Sequence, residues 1–516
     1  MRDFSEIFGR VGDWIRAKRL LFTALGVFLT VNFLCLPASE YIGDPIAIRF
    51  ETVHLLNERA LGVPDSIARR MGERGQYFFE NTERGRWFPK YGLLNTLLYV
   101  PPLLAEKVIE GKLSYANPTR VIYLNIFNLL VGTLSVLYLY LISRDYRVRT
   151  GTRMIFLFAA CFATFWWNYL RAQNSECYQV LFFLGFFYHF SCFLKRYPEV
   201  AFRDALPDRQ LLLAMIYSGL LCHVKLLYVL ILPGMPIIVA LVDRLAAMGK
   251  QKDHYRHQTR LMKLLITQFA LPALAIVATL GMVNAFKFGS PIDTGYRQWT
   301  RESQLFSGNA MDAFYGYFFS GQGSIFMHFP LLVPALFGYR EFFRKHVHQA
   351  MILAVLFPVF LVAYCKFANW RGEWCYGPRY MLVFLPLLSL PFLLVWENLL
   401  GRLRRVERAM LKGFLLATLL ASAALQVSVN SLPFMAYYQI SYLAHQWPPT
   451  KQIDEYLRET HFGIINAQLL YSRMRHTTPE MSGKLSLSGS DAELFSGLLE
   501  QGTAYNYFWL NSFLEK

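Results

Sequence analysis

Two nucleotide-binding signatures are missing from this chain. No G-x-G-x-x-G stands in a strand-to-helix setting, and no G-x-x-x-x-G-K-[ST] loop occurs. An activity driven by ATP or fed by a nucleotide sugar would have no visible binding site. Metal-ligand spacing is missing as well. His223 and His328 have no H-x-x-x-H or similar partner, and the seven cysteines contain no C-x-x-C. Neither a zinc site nor a disulfide framework is expected, and metal ligands are assigned to none of the residues. Cys35, Cys161, Cys192 and Cys222 lie inside apolar runs and read as small buried residues. Charge is sparse, at 17% of residues. No internal repeat of the kind that marks many secondary transporters is visible.

Apolar residues are abundant instead, at 54% of the 516 positions. They fall in recurring runs of about 17–25 residues, the length that spans a bilayer as a helix. The pattern predicts an all-α polytopic membrane protein in place of several soluble domains. The first run, 20–36, reads as a span because no small-residue cleavage pattern follows it. A net charge of +17 would suit nucleic acid. The basic residues cluster between apolar runs, however, as topology determinants do, so no nucleic-acid partner is expected.

Those clusters set the topology. They comprise Arg10, Arg16, Lys18 and Arg19; Arg144, Arg147, Arg149 and Arg153; Lys195, Arg196, Arg203 and Arg209; Arg244 through Lys263; Arg340, Arg344 and Lys345; and Arg402 through Lys412. All are cytoplasmic only if an even number of spans separates each neighbouring pair. The segment 92–104 is short and contains Pro101-Pro102, so it is read as an interfacial or re-entrant helix. About eleven spans result: 20–37, 120–142, 154–171, 177–194, 210–223, 226–243, 264–286, 323–339, 349–367, 380–398 and 411–432. Lys225, Pro233 and Pro236 leave 210–243 open between two short helices and one long kinked one. Residues 1–19 form a cytoplasmic N-terminus and 20–432 the membrane domain. The long outer loops are 38–119, 287–322 and 368–379. The more polar tail 433–516 is an outer extension with enough leucine and isoleucine for a small helical subdomain.

The candidate functional residues sit at the outer edge. Asp44, in a Gly/Pro-flanked turn after the first span, is either a helix N-cap for 46–57 or a proton acceptor. Glu51, two turns along the same face, reads as a solvated side chain. Lys90 and Tyr91 precede the interfacial helix; the lysine either snorkels or holds a phosphate. Ser175-Glu176 opens the fourth span near Arg171, as a local ion pair or a cavity wall. The segment 287–297 ends in Gly295-Tyr296-Arg297, and 314–323 is rich in glycine and aromatics suited to sugar rings or to the bilayer interface. Most informative is 370–380, which contains Arg371, Tyr376 and a Gly-Pro turn before Arg379. Arg379 opens an apolar run, where no favourable helix-end field compensates its charge. An anion is the expected partner, and a lipid-linked phosphate is the natural one.

In order along 20–400, these pieces resemble the GT-C class of integral-membrane glycosyltransferases, on the bacterial branch near protein mannosyltransferases and lipid A aminoarabinose transferases. The matching features are Asp44, Lys90-Tyr91-Gly92 before the interfacial helix, the basic turn 143–147, Ser175-Glu176, Ser290-Pro291 with Gly295-Tyr296, and above all 370–380. The chain departs where the class often shows two adjacent acids, since Pro45 follows Asp44, and in lacking His-Pro-Pro before the interfacial helix.

The resemblance implies transfer of a sugar from a polyprenyl-phosphate donor to a hydroxyl of a glycan, lipid or protein at the extracytoplasmic face of a bacterial inner membrane. The N-terminus would be cytoplasmic and the C-terminus outside. Asp44 would be the base, Arg379 and Lys90 the phosphate ligands, Arg297 and Arg371 reserves, and Tyr91, Tyr376 and Glu176 further substrate contacts. No cofactor is required by the sequence, and a divalent cation stays open. The competing readings are a flippase or transporter of lipid-linked sugars, and a polysaccharide polymerase or ligase.

Overall fold

Helix breaks, more than helices, shape this chain. The computed structural model describes residues 19–36, 44–69, 77–111, 113, 115, 122–171, 175–200, 208–247, 265–296, 305–320, 324–368, 370, 377–399, 401 and 403–431. Arg297, Arg371, Tyr376 and the tail 433–516 lie outside them. Among the described residues six helices are long and apolar enough to cross a membrane, and four shorter apolar helices accompany them. Their positions coincide with ten of the expected spans, and the protein is a helical polytopic membrane protein. Among the described residues the sheet is a single antiparallel hairpin, Phe78–Asn81 with Arg86–Pro89, which pairs Phe78 with Pro89.

The eleventh expected span, 323–339, is not one helix. It is a string of short turns: Ile325–His328, Leu332–Ala335, the 3-10 turn Leu336–Gly338, and Tyr339–Lys345. Pro330 and Pro334 each remove a backbone donor and crowd the preceding turn. The segment 380–398 is broken for the same reason by Pro386 and Pro391. Arg379 therefore opens the 3-10 turn Arg379–Met381 and not a long helix.

The region 210–243 resolves into two helices, Arg209–Val224 and Ile231–Ala247, joined by the 3-10 turn Leu226–Leu230. The break is at Lys225, whose backbone is extended at φ −149 and ψ 119. The segment expected as an interfacial or re-entrant helix is longer than 92–104 and runs over Leu93–Glu110. Its start docks against the Lys225 break. A Cβ on Gly92 would strike the His223 carbonyl, and Asn95 Nδ2 donates to Val224 O at 2.9 Å. Leu93–Glu110 packs along Asp44–Glu58, and the buried ion pair Arg49–Glu106, at 3.0 Å, joins them.

Glu51 departs from expectation. It is fully buried, not solvated, and it lies 4.0 Å from the equally buried Lys287. Thr96 Oγ1 donates to its Oε2.

The turns segregate into two groups. At one end Lys195 pairs with Asp145, Gln349 Nε2 donates to Asp145 at 3.1 Å, Tyr146 Oη donates to Gln349 at 2.8 Å, and Arg149 meets Glu397 at 3.0 Å. These are turns that the charge clusters assign to one side. The turns assigned to the other side meet around a single cleft, described below. Along Glu176–Val200, residues 176 and 195 are separated by about 28 Å of helix, close to a bilayer core.

Two single cysteines test this arrangement. In a background lacking the seven native cysteines, Arg84→Cys and Arg147→Cys, both at exposed positions, are expected to react with an impermeant maleimide from opposite faces of sealed vesicles. Labelling of both from one face would overturn the two-ended topology.

Candidate active site

Asp44 occupies the first turn of Asp44–Glu58, where Pro45 fixes the backbone entering the helix. Its Oδ1 accepts a hydrogen bond from Tyr91 Oη. Burial, reinforced by the Asp44 charge, pushes the Tyr91 phenol well above its ordinary value. It stays protonated and donates. Tyr296 is raised in the same way, first by burial and then by Asp44. Its ring meets Tyr91 edge-on at 6.5 Å.

Lys90 is buried, not snorkelling. Its ammonium lies 5.4, 5.6 and 5.8 Å from the ring centroids of Tyr77, Tyr91 and Tyr296. Such rings favour a cation while leaving room for an anion to approach it. The Lys90 N–H donates to Tyr77 O at 3.0 Å, which fixes the end of the hairpin.

Arg379 reaches the same space from a different element. Gly377 has φ +68, and a Cβ there would run into Phe165 and His328. Only glycine permits this turn, and the turn aims Arg379 inward. Arg379 Nε lies 3.6 Å from Glu176 Oε1. Glu176 therefore pairs with Arg379 and lines the cleft, the cavity-wall alternative to a local pair with Arg171.

Lys225 completes the set. Its ammonium stands 4.2 Å over the Tyr380 ring, which stacks on Tyr364 at 4.9 Å. Gln179 braces the opposite wall: it donates to Ser175 Oγ at 3.0 Å and accepts from Tyr228 Oη at 2.9 Å.

Asp44, Lys90, Tyr91, Glu176, Lys225, Tyr296 and Arg379 thus line one cleft of about 650 Å³, its mouth included, with Tyr77, Ser175, Gln179, Val224, Phe367 and Tyr380. Five expected site residues, Asp44, Lys90, Tyr91, Glu176 and Arg379, come together. The expected Arg297, Arg371 and Tyr376 fall outside the described residues. The reading of the sequence marked Lys225 as a helix break and as a mid-membrane charge that a transporter would use, but did not place it among the site residues. As the single Lys or Arg in 210–243, it carried the same signal as Arg379.

Three cations face two carboxylates, so the cleft favours an anion. Both carboxylates already have partners, Tyr91 and Arg379. Among the described residues no group of three or more His, Cys, Asp or Glu side chains could hold a metal ion.

No protein family and no curated protein matches the chain. Solved structures do resemble it. The archaeal oligosaccharyltransferase AglB from Archaeoglobus fulgidus, in complex with an inhibitory peptide and a dolichol-phosphate, is 12% identical with a TM-score of 0.49, over 86% of this chain and 60% of that one. This chain therefore covers under two thirds of the length of that enzyme. ArnT from Cupriavidus metallidurans in the apo state is 13% identical with a TM-score of 0.48, over 88% and 76% of the two chains. ArnT bound to undecaprenyl phosphate is 11% identical with a TM-score of 0.42, over 96% and 76%. A likeness of this extent decides neither substrate nor residue roles, which rest on the cleft itself.

Proposed function

We propose that the protein is a membrane glycosyltransferase. It moves a sugar from a polyprenyl-phosphate carrier to an acceptor hydroxyl on the extracytoplasmic side of a bacterial inner membrane. The observation that carries this reading is one cleft lined by both a carboxylate held by a phenol and three cations drawn from separate elements. A cleft at the end of apolar helices suits an amphiphile whose head is anionic and whose tail is lipid.

The chemistry follows from these parts. The acceptor oxygen attacks the anomeric carbon and gives its proton to Asp44. With Oδ1 engaged by Tyr91, Oδ2 is the oxygen that receives it. The bond from the anomeric carbon to the phosphate oxygen breaks, and its electron pair leaves on the lipid phosphate. Arg379, Lys225 and Lys90 meet that growing charge. Guanidinium offers paired donors, so Arg379 takes the phosphate most directly, and Glu176 orients it. Tyr296 lines the cleft where an aromatic ring suits a sugar.

Arg297 and Arg371 stay reserve phosphate ligands and Tyr376 a further substrate contact in this proposal, on the resemblance alone. In this reading 1–19 is cytoplasmic, 20–432 is the catalytic unit, and 433–516 is an outer extension.

Transfer of radiolabel from a defined polyprenyl-phosphate sugar tests the proposal. Wild-type protein in vesicles is expected to release the carrier phosphate. Movement of intact carrier would indicate a transporter, and consumption of diphosphate-linked glycan alone a polymerase or ligase. Asp44→Asn is expected to lower kcat by about 10²–10⁴-fold with membrane insertion intact; retained turnover removes Asp44 as the base. Arg379→Ala and Lys225→Met are each expected to lower kcat/KM for the donor by about 10–100-fold, the scale of one hydrogen bond to a charged group. Acceptor KM should stay unchanged, and an unaltered donor dependence counts against the phosphate role.

A further inference from the structure

Lys287 and Glu51 are the most deeply buried charges in the first-loop region, and neither lines the cleft. Removing two charges from water is costly, and a pair 4.0 Å apart recovers only part of that cost. Glu51 Oε1 also has no hydrogen-bond partner among the described residues. As a device for stability, two apolar side chains would serve better. The contacts of Lys287 indicate another use.

Its Nζ donates to the Tyr91 carbonyl at 2.7 Å. Tyr91 is therefore held at both ends: Lys287 grips its backbone, and its phenol grips Asp44. Glu51 sits on the same helix as Asp44, two turns on. Glu51 also accepts from Thr96 on Leu93–Glu110, the helix that follows Tyr91. Asn81 Nδ2 donates to the Phe286 and Lys287 carbonyls at 3.2 and 3.3 Å, which binds the hairpin to the same helix end.

We infer that the Lys287–Glu51 pair is a positioning clamp that sets the Tyr91–Asp44 hydrogen bond, and through it the direction of the proton-accepting oxygen. Lys287 acts through Tyr91 and touches no substrate. The inference rests on the transferase reading for its kinetic consequence, but not for its structural one. A misplacement of about 1 Å at a reacting group costs on the order of 10²-fold in rate. Lys90 neighbours Tyr91, but Lys225 and Arg379 stand on other elements, so donor binding should fall far less than turnover.

The test separates positioning from mere stability by removing the charges singly and together. Lys287→Met strands a buried carboxylate, and it is expected to lower both the thermal midpoint and turnover. Lys287→Met with Glu51→Gln removes both charges and keeps an acceptor for Thr96. The double variant is expected to regain the thermal midpoint while kcat stays at least about tenfold low and donor KM stays within about threefold of wild type. Hydrogen exchange over 88–96 should be faster in it than in wild type.

If kcat returns together with the midpoint, the clamp is only structural and the inference falls. If wild type transfers no sugar, the functional proposal fails by itself. The clamp is then judged by exchange alone, and unchanged protection over 88–96 overturns it. Should the double variant fail to insert, the near-isosteric Glu51→Gln is read by the same two measurements: lower kcat at constant KM with faster exchange supports the clamp, and no change in either refutes it.

Discussion

A charge inside an apolar helical bundle persists only where something compensates it. That requirement organises this protein. At one end of the bundle the charges are matched pairwise, as in Lys195 with Asp145 and Arg149 with Glu397. These pairs tie turns together. At the other end Lys90, Lys225 and Arg379 outnumber Asp44 and Glu176 in the lining of the cleft. The tyrosine rings of the cleft soften that imbalance without neutralising it. The surplus is what a bound anion would remove.

The cleft is made by interrupting helices. Irregular backbone at membrane depth is tolerated where it is buried in protein or lines a cavity. Each cation here stands at such an interruption: Lys225 at an extended residue between two helices, Arg379 just after the Gly377-Pro378 turn, and Lys90 at the end of the hairpin. Gly92 against the His223 carbonyl brings two of these interruptions into contact, so Lys90 and Lys225 share one space although they lie far apart in the chain.

Much of this was legible in the sequence for a simple reason. Charges next to long apolar runs are conspicuous, so Asp44, Lys90, Glu176 and Arg379 stood out, and the turns at Asp145, Arg149, Lys195 and Glu397 that the basic clusters group together do meet. What failed did so for equally physical reasons. Hydropathy counts proline as nearly neutral, so 323–339 read as a span although Pro330 and Pro334 break it. Glu51 has the same local pattern as a solvated acid. Its burial depends on Lys287, a partner on a distant helix that no local pattern reveals. Lys225 was visible as an interruption, but its neighbours Tyr364 and Tyr380 are supplied by later segments.

The helix Leu271–Phe288 holds Lys287 in its last turn, and only Leu280 and Lys287 are buried along it. Among the described residues, the rest of its surface is only partly covered. In a bilayer the uncovered part meets acyl chains, and a helix so loosely enclosed answers to hydrophobic thickness by tilting. A tilt moves the ammonium that grips Tyr91. Through Tyr91 such a tilt would reach the carboxylate of Asp44, so the fit of this helix to the bilayer bears on the geometry of the cleft.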